Sequence, residues 1–407
     1  MNTRIIYLHY ILLGATSGLF MSAQGLYLLE RGISAWQIGL LLGVYSIVAA
    51  FFELPLGIIS DAIGRLKVFI ISRWVFALGM IIYIYSDSYY LLFIPIILLA
   101  LAQALNTGTI DAIIYEQLKT HKKTTYVNKS IANFQLANVT TMVIFAALGG
   151  FVSYITFGLW EERASNFNLA YCSILAIGHA VFARFFLREN KNIQKPSLES
   201  FTRYLQSIKS ITSKNNVIAV VFLSAIFGFS VATVENYWQV LSVDLQGYIE
   251  KTTIALMTSG YLLSALVGSI ISSVINNTSR ISQVFILGVT PVLMGISLLI
   301  ASRFESISAL TICIYIFMIA FSVSRVPATV VLNEAIPNNI RSTMQSVISL
   351  FFMLGAALTL PVITPIVKTY GIGLAWRSVG FTLLAAFVIF YALITKLDAD
   401  KGLRVSN

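Results

Sequence analysis

The feature that most constrains this chain is its series of long apolar runs. Twelve of them follow one another along 407 residues, separated by short charged or turn-rich stretches. One helical crossing of a bilayer needs about 20 apolar residues. Helices also satisfy every backbone polar group inside lipid. We therefore predict an all-α membrane protein whose twelve transmembrane helices lie near 5–28, 36–60, 68–86, 89–117, 129–157, 168–187, 215–242, 253–275, 283–302, 307–334, 343–367 and 376–396.

Composition excludes other classes of protein. Only 11% of the residues are charged, whereas a soluble domain carries about 25%. Twelve spans also leave no room for a large soluble domain. Two cysteines and three histidines, none at ligand spacing, argue against a disulfide framework or a metal site. The net charge of +10 fits basic cytoplasmic loops better than a nucleic-acid surface. We expect no metal, no cofactor and no nucleic-acid partner.

The distribution of Lys and Arg predicts the orientation. With the N-terminus in the cytoplasm, 20 of the 27 basic residues fall on the inner side and six on the outer side. The remaining basic residue, Arg325, lies within a predicted span. This positive-inside bias predicts that both termini are cytoplasmic.

The longest connection, 188–214, joins two groups of six spans. We predict an N-terminal half over 1–187, a cytoplasmic linker over 188–214 and a C-terminal half over 215–407. Within the linker, Leu198, Phe201, Leu205 and Ile208 have helical spacing. This pattern predicts an amphipathic helix on the membrane surface, with a solvated basic linker as the alternative.

A weak internal repeat supports two related halves. The turn after the second span, Gly57–Lys67, matches the turn containing Asn276 and Arg280 at an offset of 215 positions. Glu116 at the end of the fourth span matches Glu334 at the end of the tenth, at an offset of 218. Internal repeats of this kind are typical of secondary transporters.

The Gly57–Lys67 turn resembles the signature loop of the major facilitator superfamily, and the resemblance covers the whole chain. Phe52–Gly57, Thr107–Glu116 and Leu332–Pro337 resemble a bacterial branch of drug-efflux-like permeases. The resemblance implies two pseudo-symmetric six-helix halves and alternating access. It also implies a cytoplasmic gate, for which the candidates are Gly57, Asp61, Gly64, Arg65, Glu116, Arg280, Glu334 and Arg341.

Two departures from the drug:proton antiporter pattern leave the direction of transport open. On the fifth span that pattern ends in Gly-Pro-x-x-Gly-Gly, whereas this chain has Phe145–Gly150 without the first glycine and the proline. The arginine that such antiporters often carry on the fourth span would fall near Ala104.

Ionisable residues inside spans are costly and therefore candidates for function. Glu53 and Arg73 lie about 12 Å above the inner turn on antiparallel helices, so we predict an ion pair between them, with proton binding by Glu53 as the alternative. Asp111 and Glu235 are the other proton-coupling candidates. Asp111 is expected to share one helical stripe with Gln103, Asn106 and Thr107. For Asp111 the alternative is polar helix packing.

Polar and aromatic stripes supply candidates for the substrate cavity. Thr16, Phe20, Gln24 and Tyr27 share one face of the first span, although Ser and Thr also pack between helices. Tyr237 and Trp238 could bind a cation beside Glu235 or form an interfacial belt. His9 and His179 are interpreted as packing residues. The remaining cavity candidates are Gln103, Asn106, Thr107, Gln239 and Arg325.

The sequence thus predicts a secondary transporter of the bacterial cytoplasmic membrane that works as a monomer. It has no glycine-rich nucleotide loop, so we expect protons to drive export of a small amphipathic organic compound or drug. Proton-coupled uptake of a metabolite is the alternative. A membrane enzyme is disfavoured because the buried acids are scattered over several spans.

Overall fold

The computed structural model describes residues 3–107, 109–111, 113–114, 124–157, 164–189, 215–247, 251–278, 282–303, 306–336 and 341–405. This part of the chain contains helices and turns and no β-strand. The predicted linker helix lies outside the described residues. The helices are α1 Thr3–Glu30, α2 Ala35–Ile63, α3 Arg65–Tyr85, α4 Phe93–Asn106, α5 Thr124–Phe157, α6 Ala164–Phe186, α7 Asn215–Gln246, α8 Lys251–Thr278, α9 Gln283–Ala301, α10 Ile307–Ala335, α11 Arg341–Ala357 and α12 Thr364–Val405.

Eleven helical stretches in the described ranges are long and apolar enough to cross a membrane. The last of them, Val347–Ile394, is 48 residues long and contains two predicted spans. Its helix is kinked at Gly371, which has a φ of +82° and lies between the predicted eleventh and twelfth spans. An all-α membrane protein of about twelve crossings is therefore confirmed.

The fourth span departs from the prediction. The sequence predicts one run over 89–117, but α4 ends at Asn106 and Thr107 has a non-helical backbone, with φ −57° and ψ +124°. Helical residues resume at Thr109. The described part of this span is therefore interrupted four residues before Asp111.

Contacts divide the chain into two compact units. The first unit comprises Met1–Pro196 with Gln246–Leu263, and the second comprises Ser197–Leu245 with Ser264–Asn407. The boundaries of the predicted halves stay a prediction. In the first unit α1 packs on α5 and α6, and α3 packs on α4 and α6. In the second unit α9 packs on α10 and α12, which is the arrangement of α3 with α4 and α6 displaced by six helices.

A glycine contact repeats in the two units. A Cβ atom at Gly14 on α1 would overlap the carbonyl oxygen of Asn138 on α5. A Cβ atom at Gly228 on α7 would likewise overlap the carbonyl oxygen of Phe352 on α11. Both partners are displaced by the same 214 positions. Small residues permit such close backbone approach between membrane helices, so the two units contain the same helix crossing.

The carboxyl end of α3 is held by Arg31, which follows α1. One guanidinium nitrogen donates to the carbonyl oxygen of Ser86 at 2.6 Å, and the other donates to that of Ile84 at 3.0 Å. Arg31 also forms a salt bridge with Asp87 at 3.1 Å and lies 4.5 Å from the ring centroid of Tyr27. A cation at a helix carboxyl end is favoured by the helix dipole.

Candidate functional site

An acid-tyrosine contact joins α1 to the fourth span. The hydroxyl of Tyr10 donates a hydrogen bond to the Oδ1 atom of Asp111. The side chain of Asp111 is exposed, whereas Tyr10 is only 1% exposed. The Tyr10 ring stacks on Phe134 of α5 at 5.7 Å between centroids. Helices α1 and α5 therefore hold the Tyr10 hydroxyl in place, whereas the Asp111 carboxylate stays exposed.

The break in the fourth span lies next to this acid. The backbone N–H of Thr107 donates to the Gln103 carbonyl at 3.1 Å, and its hydroxyl donates to the same oxygen at 3.0 Å. The Thr109 hydroxyl donates to the Asn106 carbonyl at 2.9 Å. Threonine hydroxyls thus bond carbonyl groups beside the break. Irregular backbone at membrane depth is tolerated in protein or beside a water-filled cavity, and discontinuous spans form transporter binding sites.

This arrangement can hold and release a cation or a proton. A charge-assisted hydrogen bond from a buried phenol fixes the direction of the carboxylate. The exposed remainder of Asp111 can then accept a proton or a cationic group. The predicted neighbours Gln103 and Asn106 are half-buried, and Thr107 is exposed. Because Thr107 leaves the helical path, these residues and Asp111 do not form one continuous helical stripe.

The predicted ion pair of Arg73 with Glu53 stays a prediction, and the contacts described for Arg73 are with residues of α3 itself. Arg73 is 4% exposed. Its guanidinium lies 5.4 Å from the ring centroids of both Phe69 and Phe76, and its Nε donates to Ser72 at 3.4 Å. Glu53 on α2 is half-buried.

A buried histidine pair joins α1 to α6. The Nε2 atom of His179 and the Nδ1 atom of His9 lie 2.8 Å apart, at hydrogen-bond distance. Both side chains are buried, and both rings meet Phe69 edge-on. The sequence pattern indicates packing for both histidines, and it does not predict their contact. Their similar depth, near the amino end of α1 and the carboxyl end of α6, was the available signal.

Replacing one histidine alone is expected to destabilise the protein. A His9→Leu variant leaves Nε2 of His179 buried without its partner, and Nδ1 of His179 already lacks one. An unsatisfied buried polar group costs about 1–3 kcal/mol. The His9→Leu/His179→Leu double variant should unfold at a higher temperature than either single variant. Thermal unfolding in detergent can be followed with a thiol-reactive fluorophore, because both cysteines are buried. Equal melting temperatures for the single variants and the parent would contradict the prediction.

The structure describes part of the predicted cytoplasmic gate. Gly57 is exposed on α2, and Gly64 lies between α2 and α3 with a φ of +104°. Arg65 begins α3, and the Glu334 side chain is exposed near the end of α10. Glu116 and Arg280 lie outside the described residues. The same is true of the side chains of Asp61 and Arg341.

The predicted cavity stripe on α1 divides into two environments. Phe20 and Gln24 are half-buried, and Phe20 meets Phe76 edge-on at 5.9 Å. Thr16 and Tyr27 are buried, and the hydroxyl of Tyr27 donates to the Tyr83 carbonyl. Thr16 and Tyr27 therefore pack within the first unit.

In the second unit, the aromatic residues beside Glu235 point inward. Tyr237 is buried, with its hydroxyl 3.3 Å from that of Thr364, and Trp238 is buried too. Gln239 is also buried, whereas the side chains of Glu235 and Arg325 are exposed.

The repeated units of long apolar helices define a multi-pass membrane protein. A more specific assignment follows from known proteins. The chain belongs to the Major Facilitator Superfamily, whose model matches residues 6–358. The relatives that it matches are named as transporters.

The relatives are distant in sequence. An uncharacterized MFS-type transporter of Bacillus subtilis, YxaM, is 24% identical over 250 residues, which cover 61% of this chain and 60% of the relative. An uncharacterized transporter of Buchnera aphidicola is 23% identical over 329 residues, covering 81% of this chain and 80% of that protein. The alignment thus spans about 60% of the length of the Bacillus relative.

Solved structures share the fold. The nucleoside transporter NupG aligns with a TM-score of 0.75 at 15% identity, over 97% of this chain and 99% of that one. A POT family transporter solved in complex with 5-aminolevulinic acid aligns with a TM-score of 0.77 at 14% identity, over 97% and 96%. At this identity, the likeness establishes the fold alone.

Proposed function

We propose that this protein is a proton-coupled exporter of a small amphipathic organic compound in the bacterial cytoplasmic membrane, with both termini in the cytoplasm. The observation that carries the proposal is Asp111. It is an exposed carboxylate beside a broken span of a secondary transporter, and the hydroxyl of buried Tyr10 orients it. An ionisable group at such a position is a functional candidate by default.

Proton coupling follows from the chemistry of one carboxylate. If a proton and a cationic substrate group compete for Asp111, binding of one excludes the other, and exclusive binding is what antiport requires. The exposed side chain of Glu235 is the candidate for the corresponding role in the second unit. Arg325, also exposed, would then hold an anionic group of the substrate, or neutralise an acid.

Proton-coupled uptake of a metabolite is the second candidate. It is favoured by Ala104, and by the Phe145–Gly150 stretch without the antiporter proline. Uptake would use the same carboxylate, but proton and substrate would have to bind together rather than in competition.

The test begins without an assumed substrate. Metabolites inside and outside cells with and without the chain are compared, together with their tolerance of drugs. Compounds that change are then assayed in proteoliposomes under an imposed pH gradient, with substrate and proton fluxes recorded together. Export with opposite proton flux supports the proposal, whereas uptake with parallel flux supports the second candidate. Substrate flux that does not respond to the pH gradient would overturn proton coupling.

A further inference from the structure

The amino end of α3 is capped by a residue that follows α6. Gly64 precedes α3 and, with no side chain, cannot accept a hydrogen bond from the first amides of that helix. Glu189, which follows α6, supplies the acceptor. Its Oε1 accepts from the Arg65 N–H at 2.9 Å, and its Oε2 accepts from the Leu66 N–H at 3.1 Å.

The two hydrogen bonds to Glu189 are stronger than bonds to a neutral acceptor. A carboxylate at a helix amino end is stabilised by the helix dipole, and hydrogen bonds to an ionised acceptor are stronger than neutral ones. Glu189, Arg65 and Leu66 are all half-buried, which limits screening by water. The contact joins Glu189, at the start of the predicted linker, to the turn that is predicted to form the cytoplasmic gate.

We propose that Glu189 is a positioning residue of that gate. It fixes the backbone at Arg65, and with it the direction in which the Arg65 side chain leaves the turn. The inference rests on the proposed alternating-access function. Glu189 lies outside the signature loop, and it is not among the residues that the sequence predicts for the gate.

Loss of the Glu189 cap is expected to shift the conformational equilibrium of the transporter in one direction. Without an acceptor, the first turn of α3 frays and Arg65 loses its fixed direction. The inward-closed state, which uses the gate, is then less populated. A cap contributes enough to change such an equilibrium by about tenfold. Glu189→Ala removes both acceptor atoms. Glu189→Gln keeps one acceptor oxygen, so its effect should be smaller.

The experiment measures access to the transport path from each side of the membrane. Cys172 and Cys313 are replaced by alanine, and the exposed Thr107 is replaced by cysteine as the reporter. A membrane-impermeant maleimide is applied to inside-out and right-side-out vesicles. Rates are normalised to labelling of the denatured protein, so that misfolded protein does not contribute.

Relative to the reporter background, Glu189→Ala is expected to raise the ratio of inside-out to right-side-out labelling about tenfold, and Glu189→Gln about threefold. Arg184→Gln is the matched control, because Arg184 is exposed near the same end of α6. This control should leave the ratio unchanged.

The outcomes separate this inference from the proposed function. If the background labels from both sides but Glu189→Ala has the same ratio, Glu189 is only a structural cap and the inference is overturned. Lower thermal stability with an unchanged ratio leads to the same conclusion. If the background labels from one side only, alternating access itself is overturned, and the role of Glu189 with it.

Discussion

A Gly228→Ala variant is expected to fail to accumulate as folded protein. The added Cβ atom would overlap the carbonyl oxygen of Phe352, which belongs to the backbone of α11 and cannot rotate away. Helices α7 and α11 would have to separate. Overpacking of this kind costs about 3 kcal/mol, and separation would also break the reciprocal contact between Gly355 and Ala225.

Gly178→Ala on α6 is the matched control. No heavy atom lies within 4 Å of a Cβ at that position, and alanine favours a helix over glycine by about 1 kcal/mol. Fluorescence-detected gel filtration of membrane extracts should show a folded peak for Gly178→Ala and little or none for Gly228→Ala. A folded peak of parental height and melting temperature for Gly228→Ala would show that the two helices are less close than described.

An Asp111→Asn variant is expected to lose gradient-driven transport while keeping its fold. The amide preserves the size of the side chain and cannot bind or release a proton. Accumulation under a pH gradient should fall at least tenfold in proteoliposomes, whereas downhill exchange should persist if the substrate still binds. If Asp111→Asn moves protons with substrate at the parental ratio, the proton site lies elsewhere, and Glu235 and Glu53 become the candidates.

Tyr10→Phe tests whether the hydrogen bond to Asp111 matters. The phenylalanine ring can still stack on Phe134, and only the hydroxyl is lost. A hydrogen bond to a charged group contributes about 1.5–3 kcal/mol, so coupled transport should fall by about tenfold or more. Tyr7→Phe is the control, because the Tyr7 ring also contacts Phe134 and its hydroxyl has no hydrogen-bond partner in the described part of the chain. Equal activities for the two variants would exclude a role for the Tyr10 hydroxyl.

Much of the fold could be predicted because the physical constraint is severe. A bilayer requires long apolar helices, and these are visible as runs in the sequence. The interruption at Thr107 was missed because a short break in a helix hardly changes the mean hydropathy of the run. Gly108 and the two flanking threonines were the available signal.

The candidate site was predictable only in part. Asp111 could be singled out because an acid in an apolar run is unusual. Its donor could not, because Tyr10 is 101 residues away and tyrosines are common in this chain. Glu189 was not singled out because it is one acidic residue at the start of a basic connection.

Because a charged residue binds each end of α3, the length of this helix is fixed by its end contacts. Glu189 binds its amino end and Arg31 its carboxyl end, 21 residues apart. One inserted residue would turn one end by about 100° relative to the other and displace it by about 1.5 Å. The lengthened helix could then keep its contacts at only one end. The third span should therefore tolerate many conservative substitutions on its lipid-facing side, yet accept neither an insertion nor a deletion.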